Sequence, residues 1–229
     1  MTPPPELSIS ATFTEMKDRA ERNRSVLIRV TLLVALFQAA SVVLEQGGAT
    51  GFAISFGVAV LLNAAYRGMV TAMICLPGQV ETGGELWTLA RPFLARLIWA
   101  GLLVAAAILV GLVFLIVPGL ILLTIWSVVI PAIVAEDLTL TRGFSRSPEL
   151  VRGNGWRVFV FMMLLGIIGA VILLLTLTLA APLGKGLLFG VVFQFLIACL
   201  FNPIVAVGPA ALYNQLTAAT EGPPPEAPG

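Results

Sequence analysis

One charge sits well inside an apolar run of this chain: Arg67, within the stretch Phe52–Leu76. A guanidinium at membrane depth is functional by default, because hydrocarbon tolerates it only beside a counter-ion, water or a route to the interface. It can hold an anion, pair with a carboxylate on a neighbouring helix, or snorkel. The end of its run is about nine residues away, roughly 13 Å at 1.5 Å per residue. Glu136, which closes a later apolar run, is the carboxylate within prospect. Asn63 and Tyr66 lie one turn from it or beside it, so Asn63, Tyr66, Arg67 and Glu136 form the candidate intramembrane polar cluster. The second candidate is the segment Leu138–Arg157, where Arg142, Arg146, Arg152 and Arg157 accompany an apolar face. Such a segment suits anionic lipid headgroups, at about 1 kcal/mol per basic residue near the surface. The same arginines also set topology.

The inventory excludes more chemistry than it offers. The chain contains no histidine, which removes Ser-His-Asp and Cys-His catalysis, His-ligated zinc and haem, and the usual neutral-pH proton shuttle. Its two cysteines, Cys75 and Cys199, lie in or at the ends of apolar runs without CxxC spacing and read as ordinary buried thiols. There is no glycine-rich phosphate loop; Gly153-Asn154-Gly155 reads as a turn. Carboxylates are absent from the middle of every apolar run, and Glu136 and Asp137 stand at an interface, which weighs against ion-coupled transport. The expectation is a protein that is not an enzyme and holds no cofactor and no metal.

These side chains must be positioned by membrane helices. Hydrophobic residues make up 59% of the 229 and charged ones 11%, too little polar surface to cover a water-soluble globule. A hydrocarbon core of about 30 Å takes roughly 20 apolar residues per helix. Six spans follow, at about 26–44, 52–76, 97–117, 120–135, 158–181 and 187–212, with Pro118-Gly119 as the turn between the third and fourth. Five is the alternative, if that turn is re-entrant. The fold class is therefore all-α: a polytopic membrane helical bundle of about six transmembrane helices, arranged as three hairpins with cytoplasmic amphipathic segments. Residues 1–25 form a cytoplasmic tail with an amphipathic helix, 26–216 the membrane domain, and 217–229 a disordered Pro-rich tail.

Basic residues cluster at one set of span ends: Lys17, Arg19, Arg22, Arg24 and Arg29, then Arg91 and Arg96, then the four arginines of Leu138–Arg157. The opposite loops carry Glu45 and Lys185. The positive-inside rule then puts both termini in the cytoplasm. The polar start Met1–Ser25 does not read as a signal peptide. Net charge is +1, so nucleic acid is not an expected partner.

A repeat of three units is legible, each an amphipathic segment followed by an out-and-back pair. In the first, Thr12 and Glu15 have capping-box spacing, and Ile9, Phe13, Met16 and Ala20 share a face. In the second, Thr82 and Glu85 repeat the spacing before Leu86, Leu89 and Phe93. In the third, Leu140, Phe144 and Val151 form the apolar face, and Ser147-Pro148-Glu149 has the signature of a new helix start, predicting a break. Small residues recur at four-residue spacing in Gly101/Ala105, Gly166/Ala170 and Gly186/Gly190, a pattern that lets helices approach.

Within Ile116–Phe159, three segments carry a resemblance: Val117-Pro118-Gly119, the run Trp126–Glu136, and Arg146-Ser147 with Leu150-Val151-Arg152-Gly153-Asn154. Together they resemble bacterial proteins of the glycerophosphoryl diester phosphodiesterase membrane-domain family, and related six-span inner-membrane proteins look similar. Pro148 departs from the pattern, where a large aromatic usually follows Arg-Ser. The resemblance implies a bacterial inner-membrane, multi-pass module. It does not imply the hydrolase, because that activity belongs to a separate soluble barrel using histidines and acidic metal ligands, which this chain lacks. The expected role is a non-enzymatic, lipid-contacting or partner-binding accessory module. Its partners would be membrane lipids, and another copy or another membrane protein. The alternative is a transporter or channel for a small solute, with Arg67, Asn63 and Asn202 near the path. A membrane enzyme built on Glu136, Asp137 and Arg146 is the third reading.

Overall fold

A computed structural model describes residues 7–76, 83–114, 116–184 and 186–221. All regular structure among them is helical. Five helical stretches are long and apolar enough to cross a membrane: Arg24–Cys75, Gly84–Ile108, Val117–Ala135, Gly155–Leu183 and Leu187–Thr220.

The first of these is 52 residues long, which as one straight helix would reach ~78 Å and far exceed a bilayer. It is instead two antiparallel helices, α2 (Arg24–Ser41) and α3 (Gly48–Cys75), joined by a 3-10 turn at Leu44–Gly47. Gly48 takes φ +70°, a conformation that suits glycine. Three residues on, Gly51 packs so closely on the turn that a Cβ there would collide with the Leu44 carbonyl. The two helices are tied by a buried Thr31–Tyr66 hydroxyl pair at 2.8 Å.

Before them, α1 (Ile9–Arg22) lays Phe13 against Phe161 with ring centroids 5.1 Å apart. Ile9 and Met16 join Phe13 against one buried cluster, and Met16 and Ala20 pack on the adjoining one, so the face predicted by the periodicity is turned inward. The capping spacing does not act as read. Ser8 is the N-cap and accepts from the Ala11 N–H, whereas Thr12 is inside the helix, fully buried, its hydroxyl donating to the Ser8 carbonyl. A serine four residues upstream satisfies the free amide first. Thr82, the cap expected in the second unit, lies outside the described residues. In α4 (Gly83–Ala90), Leu86 is buried but Leu89 is exposed.

Next, α5 (Leu94–Phe114) and α6 (Ile116–Ile125) run back on each other. The reversal precedes Pro118-Gly119, which sit in the first turn of α6 rather than at the bend. Proline fits there because early helical amides have no carbonyl partner to lose. Gly119 allows close approach: a Cβ on Gly111 would come within 2.8 Å of its Cα.

The fourth apolar run is broken. α6 stops at Ile125, and α7 (Val129–Ala135) starts after three turn residues, Trp126–Val128. The exposed end of α6 is satisfied from outside the helix, since the Ser147 hydroxyl donates to the Ile125 carbonyl at 2.7 Å. Ser147 belongs to α8 (Leu140–Val151), which continues through Pro148 without the expected break. Tertiary contacts of the two residues just before it, Ser147 with Ile125 and Arg146 with Glu136, hold the helix where proline cannot make its hydrogen bond.

Gly153, at φ +88°, forms the turn into α9 (Gly155–Ala180). Last comes α10 (Leu187–Glu221), 35 residues containing Pro203 and Pro209. At 1.5 Å per residue it extends to ~52 Å, so it projects well past a 30 Å hydrocarbon layer. Its projecting part carries Asn214 and Gln215, which donate to Glu15 of α1 at 3.1 and 2.6 Å. Large apolar side chains such as Leu33, Phe37, Phe52, Phe56, Leu174 and Leu179 point outward, as a lipid-facing surface requires.

Candidate functional site

The four side chains of the predicted polar cluster are not brought together. Asn63 donates to its own helix, to the Ala59 carbonyl, at 2.9 Å. Tyr66 is buried and faces Thr31. Glu136 is engaged elsewhere, and Arg67, though on the same helix as Asn63 and Tyr66, makes no hydrogen bond or ion pair with any of the three, so the expected pairing of Arg67 with Glu136 does not form.

Glu136 ends α7 and accepts hydrogen bonds from two other helices. Arg146 Nε on α8 donates to both carboxylate oxygens at 3.0 Å, and the Tyr213 hydroxyl on α10 donates to Oε1 at 2.9 Å. A carboxylate that accepts three hydrogen bonds in this way ties three elements together. The neighbouring acid is paired separately. Asp137, at φ +47°, accepts from Arg96 Nη1 at 2.8 Å, and the same nitrogen donates to the Leu138 carbonyl at 2.9 Å. Both acids of the interface are thus structural ties between helices.

Arg67 faces a cavity of about 300 Å³ bounded by α3, α5, α6, α7, α9 and α10. It lies eight positions before the end of α3, ~12 Å at 1.5 Å per residue. Its neighbours on the wall are Thr71, Ser127, Trp126 and Pro131, with Gly101, Val104 and Ala105 on α5. Every other lining residue is uncharged. Among the described residues Arg67 has neither a hydrogen-bond partner nor an ion-pair partner. Trp126 and Ser127, from the break between α6 and α7, are part of this wall. Next to the cavity lies a groove of about 400 Å³ between α9 and α10, with Leu123, Met162, Val205 and Pro209 bordering both.

Asn202 does not border the cavity. Its side-chain amide donates to Gln38 Oε1 on α2 at 3.2 Å, and Gln38 Nε2 is buried with no acceptor among the described residues. Cys75 and Cys199 are free thiols. Among the described residues there is no cluster of His, Cys, Asp or Glu able to hold a metal ion.

The basic segment divides. Arg146 is taken by Glu136 and, at 3.7 Å, by Glu149. Arg157 is half-buried and also engaged. Arg142 and Arg152 are exposed. Beside Arg152 lies an apolar groove of about 510 Å³ between α6 and α9, with Val151, Trp156 and Phe159 on its wall and Thr124 as its polar residue. Trp156 is 75% exposed.

Tyr213, Ser127, Thr71 and Gln38 were not legible as site residues. Ser127, Thr71 and Gln38 are isolated polar residues in apolar runs and Tyr213 opens a polar stretch just past one, and only the crossing of helices decides whether each meets a partner or a cavity. No family model, curated protein or solved structure matches this chain. The resemblance of Ile116–Phe159 to the phosphodiesterase membrane-domain family therefore rests on its residues alone.

Proposed function

We propose that this chain is a non-enzymatic, multi-pass protein of a bacterial inner membrane that contacts lipids with its surface and binds an anion in its core. The observation that carries this reading is Arg67, a guanidinium on a cavity wall with no carboxylate against it among the described residues. A charged arginine at membrane depth costs from about 3 kcal/mol on insertion scales to 10 or more in hydrocarbon, and an anionic ligand offsets that cost. The ends of the helices support the orientation. Arg19 donates to the Ile74 carbonyl, Asn154 accepts from the Leu7 N–H, and Glu136 and Asp137 hold Arg146 and Arg96. These contacts gather the basic residues at one end, which the positive-inside rule places in the cytoplasm. With α2 and α3 counted as two crossings, the five apolar stretches give six, and both termini face the cytoplasm. Arg142, Arg152 and the exposed Trp156 are placed to meet headgroups there.

The test is ligand binding by the full chain in phosphatidylcholine nanodiscs, probed with dodecyl phosphate against dodecyltrimethylammonium. The anion is expected to bind saturably and the cation not. Arg67→Gln should weaken the anion by about 10- to 100-fold, the equivalent of the ~1.5–3 kcal/mol of a charge-assisted hydrogen bond. Equal binding of both head charges, or no change in Arg67→Gln, refutes the anion site. The lipid-contact part fails separately if the protein shows no preference for phosphatidylglycerol over phosphatidylcholine.

A second reading, transport of an anion, is favoured by the helix break beside the same cavity. Trp126 and Ser127 of that break border it, and interrupted helices at membrane depth are a recurring feature of transporter sites. Flux of a radiolabelled anion into proteoliposomes, abolished by Arg67→Gln, separates carriage from binding alone.

A further inference from the structure

We infer that the ligand of the Arg67 cavity is a single-chain anionic amphiphile arriving from the bilayer, its alkyl chain lying in the groove between α9 and α10. This rests on the anion-binding reading and adds where the ligand comes from and what it carries besides charge. Cavity and groove are neighbours that share the wall residues Leu123, Met162, Val205 and Pro209, with volumes of about 300 and 400 Å³. The sum lies within the range of roughly 300–1,000 Å³ that holds medium-sized ligands.

Small residues, Gly166, Gly169 and Ala170, line the α9 side of the groove. Nothing lies within 4 Å of where a Cβ on Gly166 would stand, so the Gly166/Ala170 face is not a packing seam within this chain. Gly169 lets the Phe201 ring lie against the backbone, 2.6 Å from where a Cβ would be. No charged side chain borders the route. An inorganic ion entering this way would lose its hydration with nothing to replace it. An alkyl chain loses nothing, because lipid tails are as apolar as leucine, while its head gains the guanidinium. One end of the space therefore selects charge and the other selects a chain.

The test uses the full chain in phosphatidylcholine nanodiscs. Trp126, on the cavity wall, is the reporter, and Trp126→Phe identifies its signal. The probes are dodecyl phosphate, dodecanol and inorganic phosphate. Dodecyl phosphate should change Trp126 emission saturably, and the other two should not at equal concentration. Gly166→Phe, which projects into open space, should weaken dodecyl phosphate about tenfold or more, equivalent to ~1.4 kcal/mol. If that variant does not fold, Leu173→Trp reports instead: ω-bromododecyl phosphate should quench it, and Arg67→Gln should abolish the saturable part. Inorganic phosphate binding as tightly as dodecyl phosphate overturns the amphiphile and leaves the anion site standing. So does an unchanged Gly166→Phe, or an unquenched Leu173→Trp. Equal responses to dodecanol and dodecyl phosphate remove the anion site itself. A Gly166→Cys variant that crosslinks between copies assigns the groove to a second chain and likewise overturns the proposal.

Discussion

Replacing Glu136 by Gln should destabilise the fold far more than replacing its neighbour Asp137 by Asn, although each change removes one charge from one ion pair. Glu136 accepts three hydrogen bonds at 2.9–3.0 Å from two helices, and it and Arg146 are only 27% and 26% exposed. Gln presents an NH₂ to one of these donors and leaves Arg146 with Glu149 at 3.7 Å, a partner 64% exposed. Breaking a fully buried pair costs about 3–5 kcal/mol. With a quarter of each partner in water that falls to ~2–3 kcal/mol, still above the ~0–1 kcal/mol of an exposed pair. Asp137 is the exposed case, 74% open, and Asn accepts its φ of +47° readily. Asp137→Asn should therefore cost about 1 kcal/mol or less. Tyr213→Phe, which removes one donor but leaves the ion pair, should fall between at ~1 kcal/mol. The assay is unfolding in mixed micelles of increasing dodecyl sulfate, followed by far-UV circular dichroism. If Asp137→Asn loses as much stability as Glu136→Gln, the ranking by burial and bond count is wrong.

Three further outcomes follow from local geometry. Tyr66→Phe or Thr31→Val alone should cost ~1–3 kcal/mol by leaving the other hydroxyl buried and unpaired, while the double variant should be nearer wild type; a mutant cycle in the same assay reads the coupling. Gly143→Ala places a Cβ 2.5 Å from Ile133 Cγ1 and should cost ~1–3 kcal/mol as overpacking, with Ile133→Ala in the same chain recovering part of it. Gly51→Ala should disrupt the α2–α3 turn, because the obstacle is the Leu44 backbone, whereas Gly57→Ala meets nothing within 4 Å and should be neutral or better; thermal unfolding of the two variants distinguishes them.

The helical class and the apolar stretches were legible because they depend on composition and run length alone. The α1 face was legible too, since Ile9, Phe13, Met16 and Ala20 are spaced at the helical period and pack accordingly. Local start and stop signals did worse. Thr12 was passed over because Ser8 came first, and Pro148 did not break α8 because Ser147 and Arg146 are held by other helices. The fourth run read as continuous, yet it stops at Ile125. Nothing in Trp126-Ser127-Val128 announces the gap, which is sustained by a hydroxyl 22 positions away.

The site divides in the same way. That Arg67 would lie within apolar surroundings, and that no histidine or mid-run carboxylate could serve it, is settled by residue order, because both follow from one-dimensional spacing against a membrane of fixed thickness. Which carboxylate it would meet is not. Glu136 is the nearest candidate by type, but α8 and α10 bring Arg146 and Tyr213 to it first. Partner choice between helices depends on crossing geometry and helix rotation, which span periodicity leaves open. The cavity is likewise a property of the assembled bundle. Its wall takes residues from six helices, from Arg67 on α3 to Pro209 on α10, which lie far apart in the chain.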